Sequence, residues 1–335
     1  MSRTGSAIRL ATPIWLAAIG LFLLQSPAKP DDDQKFQGEY AGEVSYNGES
    51  IQLGVQVVAR GDGRFDAIAY PGGLPGAGWL PPNMIVGSGT REGTGAAAVV
   101  KLEGVDWGGI SRSAEIRDGK VAPLGDDGRP LAAFAKTERS SPTLGEKPPA
   151  GAIVIFDGDG PVDEQTRLVR PRITEDGLLM EGATTKDAFG DARLHIEFQV
   201  PYLPGNADQA RGNSGVYLQG RYEIQVLDSF GSQPKSNGCG GIYRVAKPDI
   251  TMSFPPLAWQ TYDIDFRAPR FDAGRKLEPA QVTVLHNGVM IHDRVKLEGP
   301  TPGGLDAEEQ PTGRLHLQDH GDPVRFRNIW VQPKS

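Results

Sequence analysis

Cysteine is almost missing: Cys239 is the only one in 335 residues. That excludes an internal disulfide framework and any cysteine-rich zinc or iron–sulfur site. Basic runs are also lacking. Thirty-five lysines and arginines stand against 42 acids, a formal charge of −7, and this acidic balance argues against nucleic acid as a partner. Histidine is confined to the second half of the chain, as His195, His286, His292, His316 and His320. No convincing amphipathic helical stretch occurs. Glycine and proline are plentiful, with 44 and 27 residues, as suits many turns between short strands. The length allows two domains and ample core.

The one long apolar run is N-terminal. Arg3 and Arg9 precede an uncharged stretch from Leu10 to Leu24, shorter than the ~20 residues of a spanning helix. Ser26-Pro27-Ala28 follows with small residues for cleavage. Residues 1–28 read as a signal peptide of an exported protein, periplasmic or extracellular, with an uncleaved anchor as the alternative. No cysteine follows for a lipid anchor, and no membrane span remains after signal removal. Asp31-Asp32-Asp33 reads as a solvated tail.

Residues 139–150 (RSSPTLGEKPPA) have linker chemistry. Before them, residues 36–138 alternate in stretches such as Ile51–Val58, which predicts a small all-β domain with no assigned chemistry; spacer, docking and sugar-contacting roles all fit. After them, residues 151–335 alternate clearly. Leu194, Ile196, Phe198 and Val200 oppose Arg193, His195, Glu197 and Gln199, and Ile224 and Val226 oppose Glu223 and Gln225. A period of two predicts one buried and one wet face per strand. The pattern predicts two packed antiparallel sheets, a β-sandwich or jelly roll. His286-Asn287-Gly288-Val289 predicts a hairpin, because Asn-Gly suits a type I′ turn.

Three segments could carry chemistry. In Tyr222–Asp228, Glu223 and Gln225 share one face about 6.5–7 Å apart, and Asp228 points inward unless a bulge resets the register. Laminarinase-like retaining glycosidases carry Glu-x-Asp-x-x-Glu at this spacing; here it reads Glu-x-Gln-x-x-Asp. A double-displacement site needs carboxyls about 5–5.5 Å apart, which this strand does not promise. In Leu315–Gly321, His316, Gln318 and His320 share one face and Asp319 stands beside His320, a candidate proton shuttle. In Arg211–Tyr217 (RGNSGVY), Arg211, Asn213 and Tyr217 could grip a sugar. For each, the plain alternative is a polar sheet face or loop without catalysis. Asp157-Gly158-Asp159-Gly160 lacks the rest of a calcium loop and reads as a turn. No metal or cofactor is called for, although a structural calcium stays open.

In order and spacing, several segments resemble the 3-keto-disaccharide hydrolase domain family. They are Ile155–Gly158, Phe189–Phe198, Asn213–Tyr217, Tyr222–Asp228, Trp259–Tyr262, Leu285–Val289, Leu317–Gly321 and Val324–Ile329. The resemblance covers roughly residues 151–333 and implies a concanavalin A-like, laminarinase-like jelly roll. It also implies cleavage of a glycoside whose sugar is oxidised at C3, where one base can suffice. Under it, Glu223 or His320 is the base and the other the acid, with Asp319 orienting His320. Gln225, Gln318, Asn213 and Arg211 hold hydroxyls or an enolate oxygen, and Tyr217 stacks on the sugar. Residues 272–279 depart from the family pattern as an insertion between strands. A non-catalytic lectin-like jelly roll and a conventional endo-glycosidase are the alternatives. Linkage, aglycone and oligomeric state are left open.

Overall fold

The computed structural model describes residues 32–46, 48–106, 108–158 and 166–334. The signal-peptide reading, Asp31 and the end of the Asp157–Gly160 turn therefore lie outside the described residues. Among these, no helix is long and apolar enough to cross a membrane.

The first eight strands are β1 (Gly38–Tyr46), β2 (Glu49–Ala59), β3 (Arg64–Pro71), β4 (Ile85–Glu92), β5 (Val99–Val105), β6 (Ser111–Arg117), β7 (Lys120–Leu124) and β8 (Phe134–Thr137). Each pairs antiparallel with the next, and β1 pairs with β8, so the sheet closes into an up-and-down barrel. The alternation of β2 turns Leu53, Val55, Val57 and Ala59 into its interior. Asp33 is not part of a solvated tail: it is buried, accepts the Gly63 backbone N–H at 2.8 Å and pairs with Arg91 at 2.8 Å.

The rest is a β-sandwich. Its strands are β9 (Ile153–Phe156), β10 (Leu168–Val169), β11 (Leu179–Met180), β12 (Thr184–Phe189), β13 (Ala192–Gln199), β14 (Ser214–Leu218), β15 (Tyr222–Val226), β16 (Gln260–Arg267), β17 (Arg270–Asp272), β18 (Arg275–Glu278), β19 (Ala280–His286), β20 (Val289–Leu297), β21 (Gly313–Leu317) and β22 (Arg325–Pro333). One sheet runs β10-β12-β21-β14-β15; the other runs β11-β22-β13-β16-β19-β20 with β9 on β22. The inner faces supply one core, including Ile196, Phe198, Ile224, Val226, Ile264 and Phe326. The chain is all-β with the expected jelly-roll sandwich. Asn287 and Gly288 turn β19 into β20 at φ of 50° and 78°, the left-handed pair a type I′ turn demands. The insertion folds as its own hairpin, β17–β18.

Parts of the outer faces are not wet, contrary to the simple alternation reading, while Asp265 and Arg314 are exposed as it predicts. On β13, His195 and Glu197 are fully buried because residues 139–150 lie across them as a strap. Thr143 donates to Asp263 Oδ2 at 2.6 Å, and the Gly145 N–H donates to Glu197 Oε1 at 2.6 Å. Asn328 and Trp330 donate to the Glu146 carbonyl. Buried polar groups need partners, and the strap supplies them. It also fixes the barrel: Arg139 grips Glu39 of β1 with two bonds of 2.7 and 2.6 Å, its guanidinium over Phe254.

Candidate active site

The polar cluster sits on the outer face of the sheet that carries β14, β15 and β21. Antiparallel register sets Gly215 beside Gln225 and Tyr217 beside Glu223, while β21 brings His316 against Tyr217. Gln318 continues that row, its N–H donating to the Gly215 carbonyl. Loops cover the row. The N–H of Tyr243 donates to the Glu223 carbonyl, the Glu223 N–H donates to Thr301 Oγ1, and Gly303 lies over the Tyr217 hydroxyl. Glu223 and Gln225, expected on a solvated face, are consequently only 2 % and 1 % exposed.

Glu223 Oε2 lies 2.7 Å from the Tyr217 hydroxyl, which is also 2.7 Å from the Pro302 carbonyl. Gln318 Nε2 donates to the same hydroxyl at 3.3 Å. Burial pushes the Glu223 carboxyl up to about 7, and the Tyr217 bond only partly restrains it. Burial, then Glu223, raises Tyr217 far above its ordinary range. The other wall of the carboxyl is Gly215, where a Cβ would stand 2.3 Å from Glu223 Oε1. Glycine leaves that space. His316 is half-buried, its Nδ1 2.9 Å from Thr184 Oγ1, and burial lowers its pKa, favouring a neutral ring.

Further along, Gln225 Nε2 donates to Gln209 Oε1 at 3.1 Å and Asn213 Nδ2 donates to the Gln209 carbonyl at 2.7 Å. Gln225 Oε1 and Asn213 Oδ1 are buried without hydrogen-bond partners. Two such acceptors are costly unless a donor fills them. Arg211 is held elsewhere: it pairs with Asp228 at 2.5 Å and reaches the Ala59 carbonyl of the barrel at 3.4 Å. Asp228 thus lies buried beyond β15 on Arg211, and the strand supplies no second carboxylate in the Glu223 cluster.

His320 lies past the end of β21 and is exposed. Asp319 accepts from Arg172 at 2.9 Å and from the Gly321 N–H at 3.0 Å, so its hydrogen bonds run to those groups rather than to His320. Tyr217 has no exposed ring face; its hydroxyl does the contacting. Sequence reasoning missed Glu181 and Arg172. Glu181 is buried, its pKa raised by burial, and bonded to the same Arg172 at 2.8 Å. Its local sequence, beside a two-residue strand, offers no alternation to mark it.

A second ionisable cluster lies on the opposite sheet. His195 Nδ1 is 2.7 Å from Asp263 Oδ1, Nε2 is 3.6 Å from Glu197 Oε1, and the ring stacks on Trp330 at 5.3 Å. Burial works against the charged imidazole, but hydrogen bonds to Asp263 and Glu197 prevail and lift it to about 9. For Glu197, burial is outweighed by bonds from His195, Asn328, Gly145 and Arg327, which bring it to about 2. Glu146, His195 and Asp263 are close enough to surround an ion. Their oxygens already serve Arg193 and Thr143, so the group is an ionic fastener for the strap.

The sandwich thus carries one buried carboxyl, Glu223, on the polar face formed by β14, β15 and β21. The chain belongs to the 3-keto-alpha-glucoside-1,2-lyase-like domain family, whose profile matches residues 128–332. It is similar to the crystal structure of a proposed glycosyl hydrolase from Parabacteroides distasonis ATCC 8503, with 32% identity, a TM-score of 0.49, and coverage of 55% of this chain and 84% of that one. A second proposed glycosyl hydrolase of that organism shows 22% identity and a TM-score of 0.35, covering 49% and 90%. No curated protein matches the chain.

Proposed function

We propose that the chain is an exported enzyme that cleaves 3-keto-glycosides through Glu223. The observation that carries this reading is the buried Glu223 carboxyl, held near 7 with the Tyr217 hydroxyl on one oxygen. A lone base of that pKa suits proton abstraction near neutrality. The C3 ketone acidifies C2–H; Glu223 takes that proton and the electron pair moves into a C2=C3 enolate. Collapse of the enolate expels the C1 oxygen and leaves a C1=C2 enone. The departing oxygen takes a proton from the acid. Water then adds at C1, C2 regains a proton, and the net change is hydrolysis. Gln318 and Tyr217 are the nearest donors for an enolate oxygen, and Asn213 and Gln225 offer free acceptors to sugar hydroxyls. His320, exposed past the end of β21, is assigned to the proton of the leaving group. Pro302 and Gly303 cover the carboxyl, so substrate entry requires that loop to lift.

The test is release of 3-keto-glucose from a 3-keto-disaccharide, beside the unoxidised sugar and Glu223→Gln. Turnover of the keto form alone, abolished by the substitution, is expected. Sugar binding without turnover of either form would replace the enzyme with a lectin-like protein. Export rests on residues 1–28, and the N-terminal sequence of the protein recovered outside the cytoplasm tests it, with Lys29 expected first.

A further inference from the structure

We propose that the N-terminal barrel is a receptor for a single-chain amphiphile, with its alkyl chain inside the barrel and its polar head at the open mouth. One end of the barrel is plugged. Residues 32–37 tuck Phe36 against Phe65, ring centroids 5.9 Å apart and nearly perpendicular, beside buried Tyr40. At the other end the described residues leave space. Register places Ala69, Gly87, Gly104 and Ala114 on the same inward face that carries Phe65 nearer the plug. These small residues are among those lining a cavity of about 1360 Å³.

An eight-stranded barrel is either packed with its own side chains or holds one small ligand. Toward the plugged end the inward register includes Arg91, Tyr40 and Lys136; around the cavity the inward-facing wall is aliphatic or glycine, with one exception among the described residues. That exception is Arg112, opposite Gly104, whose guanidinium meets Asp106 at 2.9 Å. The interior therefore lacks the hydrogen-bonding side chains a sugar requires. Beside the mouth, Val105, Ile110 and Leu131 are 51, 54 and 38 % exposed, an apolar approach to an apolar interior. Hydrocarbon gains from leaving water on both surfaces, and the charged pair beside the mouth suits a polar head.

Calorimetric titration of the full chain with octanoate, decanoate, dodecanoate and tetradecanoate, each below its micelle concentration, reads this directly. One site per chain is expected, with affinity rising about fourfold per methylene until the barrel is full. Alkanols of matched length separate chain from head. Equal affinity supports recognition of the chain alone, and a tenfold weaker alkanol supports a carboxylate at Arg112. Ala114→Trp is expected to weaken binding at least tenfold by filling the cavity. Leu131→Glu, at an exposed position that folding tolerates, is expected to weaken it severalfold. Neither should change turnover at the sandwich. Absence of saturable binding, affinity independent of chain length, or unchanged binding in a folded Ala114→Trp protein would overturn the proposal.

Discussion

The hydroxyl of Tyr217 stands 2.7 Å from Glu223 Oε2 and 2.7 Å from the Pro302 carbonyl, yet it has one proton. When Glu223 is ionised, that proton is drawn to the carboxylate and Pro302 loses its donor. When Glu223 is protonated, the carboxyl can donate to Tyr217, which is then free to hold Pro302. Ionisation of the base thus competes with one bond of the covering loop, which the N–H groups of Thr301 and Leu305 also hold through the Arg221 and Gly220 carbonyls. Among the described residues, Tyr217→Phe removes the one side-chain bond that favours the carboxylate, so the Glu223 pKa should rise above about 7. The acidic limb of the pH–rate profile should move to higher pH, with kcat reduced about 10- to 100-fold. A limb that stays in place would detach Tyr217 from the base.

Gly215 is the second wall of the same carboxyl. A methyl group there would lie 2.3 Å from Glu223 Oε1, well inside contact distance. Gly215→Ala should therefore swing the carboxyl away from Tyr217 at a stability cost of roughly 1–3 kcal/mol. Activity should fall as far as in Glu223→Gln while the circular dichroism of the sheets is retained. Near-normal kcat in Gly215→Ala would show that the carboxyl need not sit where the structure has it.

The alternation of β13, β15 and β21 was legible because each residue on one face joins a single apolar core. Asn287-Gly288 was legible because few dipeptides accept two positive φ values. The burial of the opposite faces was not, since it depends on the strap at 139–150, read as a linker, and on the loop at Pro302, which carries no pattern of its own. The two glutamates show the consequence. Glu197 and Glu223 occupy the same place in an alternating strand, yet the first is brought to about 2 and the second to about 7. The difference lies in partners: His195 beside it and Asn328, Gly145 and Arg327 from far along the chain for one, Tyr217 for the other. Likewise, Arg211 looked like a sugar ligand because nothing local reveals that Asp228 claims it.

Arg211 and Asp228 form a buried pair that also touches the barrel at Ala59. Removing one partner leaves the other charged and buried, so Arg211→Met should cost about 3–5 kcal/mol. The double variant Arg211→Met/Asp228→Leu should recover much of that loss, as measured by denaturant unfolding. If the double variant instead loses the sum of the two single losses, the pair is not coupled and its partners act separately.

The strap makes stability depend on pH through His195. Its pKa is raised from 6.5 to about 9 by Asp263 and Glu197 in the folded state, so folding binds a proton across that window. The stabilisation is complete below pH 6.5 and is lost as pH rises through about 9. Glu223, raised from 4.5 to about 7, acts in the same direction at lower pH, its contribution fading between those values. Glu197, lowered from 4.5 to about 2, opposes acid unfolding and loses its contribution only as pH falls toward 2. Thermal unfolding should therefore show a maximum Tm near pH 5 and a decline toward pH 9. His195→Gln should lower Tm at pH 6 and flatten the alkaline part of that decline, while Glu223→Gln flattens the part between pH 5 and 7. The strap itself should become cleavable by thermolysin before Leu144 as His195 deprotonates, and retention of full protection at pH 9.5 would separate the strap from the titration of His195.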